Sequence, residues 1–496
     1  MDRGFKAIVF DEFHLYQPSQ ISGVLNTLLL MRSVGMRHKL VFLSATPHQH
    51  LIKALELARL KVALIDPAAM NGYSCVGGQG WRQINQPTAI DLIPEDRAYD
   101  WIQENQKSIL QFWLDYPGSK GAIILNSIAS VKRVKRSLSK LFSEHGLSVS
   151  ENTGFTDHEE AQKAITADLV VGTSTLDVGV DFKINWLLFE GHDAPTFIQR
   201  LGRIGRHSGF DCYQAIAFVP RYVYERIDSH GLNAVSRPEF TKLIFREHRQ
   251  INSFEGYYRR WAPIQAFGIG RQLLHPSLDR RYLAAFRQYQ SQAEALWGDS
   301  FEHCVERIKS AKEEAVAIGL KKGNPLFAEA ASFRGTSSFQ CAAITPSGSY
   351  STYNLPTLLS NYHFDVVDRS AFPEWFTAAR HCAFHLRVYD LLETRRYWRF
   401  FMIEEEAEYL ARRITVFAGL RTINATSGDQ INTILRNRAI VAFICLHPAD
   451  SLKRQLKLPL HFPVYDLQVQ PGERFCAYSI AFDQAALMLD SILGQG

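Results

Sequence analysis

Over the first 220 residues, unbroken apolar runs alternate with stretches whose apolar positions recur at helical spacing. The run Phe5-Lys6-Ala7-Ile8-Val9-Phe10 holds five apolar residues in six without alternation, which is how a strand covered on both faces of a parallel sheet reads. A similar run, Lys39-Leu40-Val41-Phe42-Leu43, follows a predicted helix over 21–34, and a helix over 49–59 and a strand over 62–65 come next. Residues 1–70 therefore read as part of an α/β lobe, incomplete because its opening strand needs neighbours on both sides. Residues 71–91, with Gly77-Gly78-Gln79-Gly80 and Pro87, read as a linker. Residues 92–220 predict helices over 96–115, 129–143, 157–165 and 195–203, and strands over 122–125, 147–150, 168–171, 186–189 and 214–219. Strands alternating with helices of this length indicate βαβ units and a second parallel-sheet lobe. Residues 221–329 are helical and rich in Arg and aromatics. Residues 330–496 mix strand-like runs at 400–403, 414–417 and 439–445 with helices near 406–412 and 483–493. The predicted class is α/β, two parallel-sheet lobes followed by a helical and mixed α+β region.

Composition adds little to this picture. A chain of 496 residues suggests about three domains. Hydrophobic content of 46% and charged content of 21% are those of a globular protein, and the formal charge of +5 permits a polyanionic partner without demanding one. The seven cysteines are scattered and contain no Cys-x-x-Cys pair, which speaks against a disulfide framework and a cysteine-rich zinc site. No apolar run approaches the roughly 18 to 20 residues that span a bilayer. A cytoplasmic location and no membrane partner are expected.

Candidate chemistry sits at the predicted strand ends. Asp11-Glu12-Phe13-His14 closes the first strand, at the edge where open α/β sheets bind ligands. Adjacent carboxylates there suit a division of labour in which Asp11 holds Mg²⁺ and Glu12 polarises a water against a phosphate; an ordinary acidic loop is the alternative. Ser44-Ala45-Thr46-Pro47 closes the neighbouring strand, and Asp168 to Asp181 includes Gly172, Thr173 and Gly179 around predicted tight turns. In Gln199-Arg200-Leu201-Gly202-Arg203-Ile204-Gly205-Arg206, residues 199, 203 and 206 would share one helix face at i, i+4 and i+7. Each glycine costs about 1 kcal/mol in a helix interior and so calls for a reason such as close approach. Asn126-Ser127 and Thr153-Gly154 offer the hydroxyl and backbone N–H groups used in sequence-independent phosphate gripping, although polar turns explain them equally well. Lys132, Arg133, Lys135 and Arg136 read as a solvated helix face. Arg246, Arg249, Arg259 and Arg260 interleave with Phe245, Phe254, Tyr257, Tyr258 and Trp261; core packing is the leading reading and a stacking channel for single strands the other.

Taken in order, these four elements resemble motifs II, III, V and VI of superfamily 2 helicases. The resemblance implies two RecA-like lobes, ATP and Mg²⁺ as cofactors, and single-stranded DNA as partner. It implies Asp11 as metal ligand, Glu12 as general base, and His14, Ser44 and Thr46 as coupling residues between hydrolysis and strand movement. Arg203 and Arg206 become arginine fingers, and Gly179, Asp181 and Gln199 nucleotide contacts. Ser127, Thr153, Gly154 and Thr173 become nucleic-acid contacts. One element is missing: the sequence contains no Gly-Lys pair, whereas such a helicase needs Gly-x-x-x-x-Gly-Lys-Ser/Thr to cradle the phosphates. The chain is thus expected to be the C-terminal part of a longer helicase, inactive alone. A split helicase needing a separate motif I fragment, and a non-hydrolysing nucleic-acid-binding scaffold subunit, stay open.

Within that superfamily, Asp11 to His14, Ser44 to Pro47, the run 199–207 and the long mixed extension resemble the CRISPR-associated helicases of type I interference systems, subtype I-D in particular. This implies recruitment by an RNA-guided CRISPR interference complex. Relatives often carry an HD nuclease; His192-Asp193, the only His-Asp pair, has no accompanying metal-ligand pattern, so no nuclease is expected.

Overall fold

The computed structural model describes residues 5–36, 38–44, 49–66, 85–94, 98–156, 158–177, 183–231, 233–274, 281–317, 324–396, 399–423, 428–470, 472 and 476–494. The chain divides into two units, one formed by Met1–Ile65, Asn252–Ala343 and Thr352–Gly496, the other by Asp66–Ile251 and Ile344–Ser351. The class is α/β with parallel RecA-like sheets, helices and mixed sheet, as expected.

The first unit begins with β1 (Ala7–Phe10), α1 (Pro18–Ser33), β2 (Lys39–Phe42) and α2 (Gln49–Leu57). β1 and β2 pair in parallel, Ala7 opposite Lys39 through Phe10 opposite Phe42, as a two-stranded sheet. The expectation of cover on both faces is corrected here. Ile8, Phe10, Leu40 and Phe42 pack on the cluster that contains Leu25 and Leu29 of α1, but Val9 is 56% and Val41 40% exposed on the other face. Among the described residues helices cover one side only, and the apolar run continues onto the exposed face. The strand expected over 62–65 is absent; these residues are irregular and Leu64 and Ile65 are exposed.

The second unit contains β3 (Ala89–Ile93), α3 (Ala98–Glu104), α4 (Gln106–Asp115), β4 (Gly121–Ile124), α5 (Ile128–Ser143), β5 (Val149–Asn152), α6 (His158–Thr166), β6 (Leu169–Gly172), β7 (Trp186–Glu190), α7 (Ala194–Leu201), β8 (Gln214–Phe218), α8 (Arg221–Asp228) and α9 (Arg237–Glu247). Its six strands are all parallel, in the order β3-β8-β7-β4-β6-β5. Successive strand residues point to opposite faces. Ile123, Leu125, Trp186 and Leu188 accordingly join Ile102, Trp113, Val134 and Phe142 of α3 to α5. Ala122, Ile124, Leu187 and Phe189 join Ala164, Phe197, Leu201, Val223 and Leu243 of α6 to α9. The reading of 71–91 as linker fails at its end, because β3 starts at Ala89 and pairs with β8. The basic face of α5 is partly neutralised: Lys132 Nζ lies 2.9 Å from Glu151 Oε1, and Lys135 Nζ 3.5 Å from Glu160.

From Asn252 onward, apart from the 344–351 turn assigned to the second unit, the first unit resumes with α10 (Glu255–Arg260), α11 (Ala262–Gly270), α12 (Arg281–Trp297), α13 (Phe301–Ala317), α14 (Pro325–Ala331), β9 (Gln340–Ile344), β10 (Tyr350–Asn354), α15 (Leu355–Asn361), β11 (Tyr362–Val366), β12 (Phe384–Leu391), β13 (Arg399–Phe401), α16 (Glu404–Leu410), β14 (Ile414–Phe417), β15 (Arg421–Ile423), α17 (Gly428–Arg436), β16 (Ile440–Cys445), α18 (Ala449–Gln455), β17 (Val464–Gln468), β18 (Tyr478–Phe482) and α19 (Asp483–Leu493). The strands form a four-stranded sheet, β10-β9-β12-β11, and a mixed six-stranded sheet, β14-β16-β18-β17-β13-β15. Phe254, Tyr257 and Trp261 are buried, packed with α19 and the larger sheet.

Two buried polar networks hold this unit together. In the first, Gln265 of α11 accepts at Oε1 from Ser22 Oγ (2.7 Å) and Asn26 Nδ2 (3.3 Å), and its Nε2 donates to the carbonyls of Ser19 and Ser332. Trp297 Nε1 of α12 donates to Asn26 Oδ1 at 2.8 Å. With its hydrogen-bonding groups paired, this network specifies how α1 docks on α11 and α12 rather than costing stability. In the second, Glu329 is fully buried. Its Oε2 accepts from Thr336 N (2.6 Å) and Thr336 Oγ1 (2.5 Å), while Oε1 has no partner among the described residues. Burial, and then the nearby Asp483 carboxylate, push Glu329 up to about 7. Asp483 itself accepts from Ser338 N (2.6 Å) and Ser338 Oγ (2.7 Å).

Candidate functional site

In the first unit the candidate residues lie at the C-terminal ends of β1 and β2, which parallel pairing places at one sheet edge. The edge continues past the strands, since Leu43 N donates to Phe10 O (2.9 Å) and Phe13 N to Leu43 O (3.3 Å). Asp11 is exposed, and its Oδ1 accepts from Glu12 N at 3.0 Å. Glu12 has a left-handed backbone, φ 48 and ψ 41. A bulky residue held in that region costs energy that the surrounding fold must supply, and such residues recur at functional sites. The buried Phe13 ring, edge-on to Phe42 at 5.6 Å, anchors the turn immediately after it. Ser44 follows at the same edge. The side chain of His14, and Thr46 as a whole, lie outside the described residues.

Among the described residues no group of three or more His, Cys, Asp or Glu could hold a metal ion. Mg²⁺ needs no such cage, because it is usually held by one or two carboxylates together with phosphate oxygens and water. Asp11 beside Glu12 fits that requirement.

In the second unit, Ser127, Thr153, Gly154 and Thr173 follow the C-terminal ends of the three adjacent strands β4, β5 and β6. Ser127 is exposed and caps α5, its Oγ accepting from Ser130 N at 3.4 Å. Thr153 is buried, its Oγ1 accepting from Phe155 N (3.2 Å) and lying 3.1 Å from Thr156 Oγ1. Gly154 is exposed with open space where a Cβ would stand. Thr173 N and Thr175 Oγ1 both donate to Asn152 O, at 3.3 and 2.7 Å. That crossing is tight enough to require glycine at 172, where a Cβ would collide with the same carbonyl oxygen.

The arginine-rich segment departs from the sequence reading. α7 ends at Leu201, capped by Gly202, so residues 203 and 206 are not on the helix and the shared i, i+4, i+7 face does not exist. The chain turns instead, with Gly205 at φ +76. Gln86 N donates to Gly205 O at 2.9 Å, and a Cβ on Gly205 would stand 3.2 Å from that same nitrogen. The glycine thus serves close approach and turning, not a helix interior. The turn separates the two arginines: Arg203 is 8% exposed, whereas Arg206 is exposed and donates from Nε to Gly202 O at 2.6 Å.

Gln199 Nε2 donates to Asp177 O at 3.2 Å, tying α7 to the loop after β6. Gly179 and Asp181, further along that loop, lie outside the described residues. Sequence reasoning missed the pair beneath this contact. Arg200 is 3% exposed, and its Nε and Nη2 reach Asp177 Oδ2 at 3.3 Å while Nη1 donates to Glu190 O at 2.7 Å. Its position three residues after the buried Phe197 was the available signal, since i, i+3 neighbours share a helix face. Burial raises the Asp177 carboxyl above its ordinary range, opposed by Arg200 and then Arg203. Burial likewise raises Glu190, opposed by the Asn126 N–H and by Arg200. Arg237 was also missed; burial, then Arg206 beside it, lowers its guanidinium. Asp193 caps α7, accepting from Thr196 N at 2.8 Å and Thr196 Oγ1 at 3.0 Å.

The sequence model of the C-terminal part of the CRISPR-associated nuclease/helicase Cas3 matches residues 117–209. No protein of curated function matches the sequence. Among solved structures, the DUF1998 helicase MrfA bound to DNA and AMPPNP superposes with a TM-score of 0.50 at 13% identity, covering 98% of this chain and 69% of that one. MrfA bound to DNA gives 0.46 at 15% identity, covering 80% and 52%. Cas3 of T. fusca gives 0.34 at 14% identity, covering 69% and 43%. The chain spans about half the length of the MrfA chain in the structure bound to DNA alone. Its fold is of the helicase type.

Proposed function

We propose that this chain is the motor portion of a superfamily 2 helicase, an ATP-dependent translocase on single-stranded DNA. The observation that supports it best is the shared edge of β4, β6 and β5, where Ser127, Gly154 and Thr173 end neighbouring parallel strands and offer groups suited to phosphate contacts. In this reading Asp11 holds Mg²⁺, which when bound neutralises phosphate charge, and Glu12 orients the attacking water. Arg203 and Arg206 stabilise the transferred phosphoryl, with Arg203 kept in place by its burial beside Asp177. Gln199, Gly179 and Asp181 contact the nucleotide. His14, Ser44 and Thr46 relay hydrolysis to the strand. The match over residues 117–209 favours a cytoplasmic role in CRISPR type I interference, subtype I-D by the resemblance of its motifs, alongside an RNA-guided complex. In this reading the two lobes comprise residues 1–65 and 89–251, with 66–88 between them in sequence and 252–329 and 330–496 appended.

Because no Gly-Lys pair is present, turnover should require a polypeptide that supplies Gly-x-x-x-x-Gly-Lys-Ser/Thr. The test is ATP hydrolysis with single-stranded DNA, by the chain alone and with that polypeptide added. Turnover only in the mixture is expected. Turnover by the chain alone would overturn the requirement, and DNA binding without turnover in either case would favour a scaffold. In the active mixture, Glu12→Gln should retain DNA binding and lose at least about 100-fold in rate; an unchanged rate would remove Glu12 from its role.

A further inference from the structure

Two arginines on different helices of the first unit line one cavity of about 220 Å³, together with Leu326, Phe327 and Ile414. Arg260 of α10 is held by the buried Asp490, through Nε to Oδ2 and Nη2 to Oδ1 at 3.1 Å. Arg307 of α13 lies over the Trp261 ring, 5.4 Å from its centroid, and donates from Nη2 to Arg260 O (2.8 Å) and from Nη1 to Asp299 Oδ2 (3.4 Å). These bonds use the smaller part of the five N–H groups each guanidinium carries. Arg260 Nη1 and Arg307 Nε have no acceptor among the described residues. The side chains are nevertheless anchored, and are 28% and 25% exposed.

We propose that this cavity binds a phosphate ester, its oxygens on the open N–H groups of Arg260 and Arg307 and its carbon body against Leu326, Phe327 and Ile414. Planar guanidinium forks pre-positioned by other bonds match phosphate oxygens better than a mobile lysine does. Burial, followed by the neighbouring Arg260, lowers Arg307 from its ordinary range, a cost that an incoming anion relieves. The half-buried apolar wall favours an ester over a bare ion. The ester could be a nucleotide of a DNA strand, which rests on the function proposed above, or a free sugar phosphate, which does not.

The test uses the full chain and Arg307→Gln. Deoxyribose 5-phosphate is titrated by calorimetry, and a single-stranded oligonucleotide is titrated at several salt concentrations. Saturable sugar-phosphate binding weakened at least tenfold by R307Q supports the site. So does a fall of about one in the slope of log affinity for the oligonucleotide against log salt. Support from the sugar phosphate with an unchanged oligonucleotide slope assigns the free ester. If the wild type binds no oligonucleotide, the motor reading fails while the sugar phosphate still decides the cavity. Sugar-phosphate binding that is absent or insensitive to R307Q, together with an unchanged slope, overturns the proposal. Should R307Q lose its native circular dichroism, Arg307→Lys replaces it, keeping the charge without the fork, and is expected to weaken binding at least threefold; unweakened binding overturns the proposal.

Discussion

Replacing Arg200 by Ala should lower the protection of β6 and β7 amides in hydrogen exchange by about 3–5 kcal/mol, the cost typical of removing one partner of a buried ion pair. The loss is large because Asp177 is only 6% exposed and would be left as an uncompensated carboxylate. Its carboxyl is already raised by burial, and Arg200 is the leading influence that lowers it. The carbonyl of Glu190 loses a donor in the same step. Replacing both partners, Arg200→Met with Asp177→Leu, should recover most of the protection, since an apolar pair avoids the desolvation of two charges. A single variant that exchanges like the wild type would show that the pair contributes little.

Glu329→Gln should raise the stability of the first unit at pH 8 by on the order of 3 kcal/mol, and leave it nearly unchanged at pH 4. The sign follows from the carboxyl being raised from 4.5 to about 7 in the folded chain. The native state then keeps a proton that the unfolded chain has already lost, so the stabilisation is complete below the unfolded value and is lost as pH rises to about 7. Above that, an ionised Glu329 sits beside Asp483 with Oε1 unpartnered. Glutamine reproduces the protonated form, one oxygen accepting from Thr336 and one donor in place of Oε1. Urea midpoints measured from pH 4 to 8 decide the matter. A wild-type profile parallel to that of the variant throughout would mean that Glu329 does not titrate in this range.

The parts of the fold that sequence revealed are those where a strand is buried on both faces. β4, β6 and β7 read as unbroken apolar runs because helices lie on each side of them. β3 was hidden because it is an edge strand carrying Asp91, close behind Pro87, and only half-buried. β1 misled in the opposite sense: its apolar residues continue onto an uncovered face. The mixed sheet was unreadable because its neighbours are remote in sequence, β13 pairing with both β15 and β17. At the candidate edges, strand-end residues could be listed from sequence. The ending of α7 could not, since Gly202 and Gly205 were compatible with a helix until Gln86 was seen against the second of them.

A two-stranded sheet is marginal by itself in water, so β1 and β2 derive their rigidity from the helix beneath them, and that helix from Gln265. The carboxylates at positions 11 and 12 are therefore governed from a point some 250 residues away in sequence. Gln265→Leu, which strands Asn26 Nδ2 and removes the donor to the Ser19 and Ser332 carbonyls, should accelerate amide exchange at Ile8 and Phe10 at least tenfold, a loss in keeping with the 1–3 kcal/mol typical of an unsatisfied buried group. Unchanged exchange there would mean that the strands hold their shape independently of the α1 docking. If the acceleration is found, selection for a well-set acidic pair acts on an amide that never touches it.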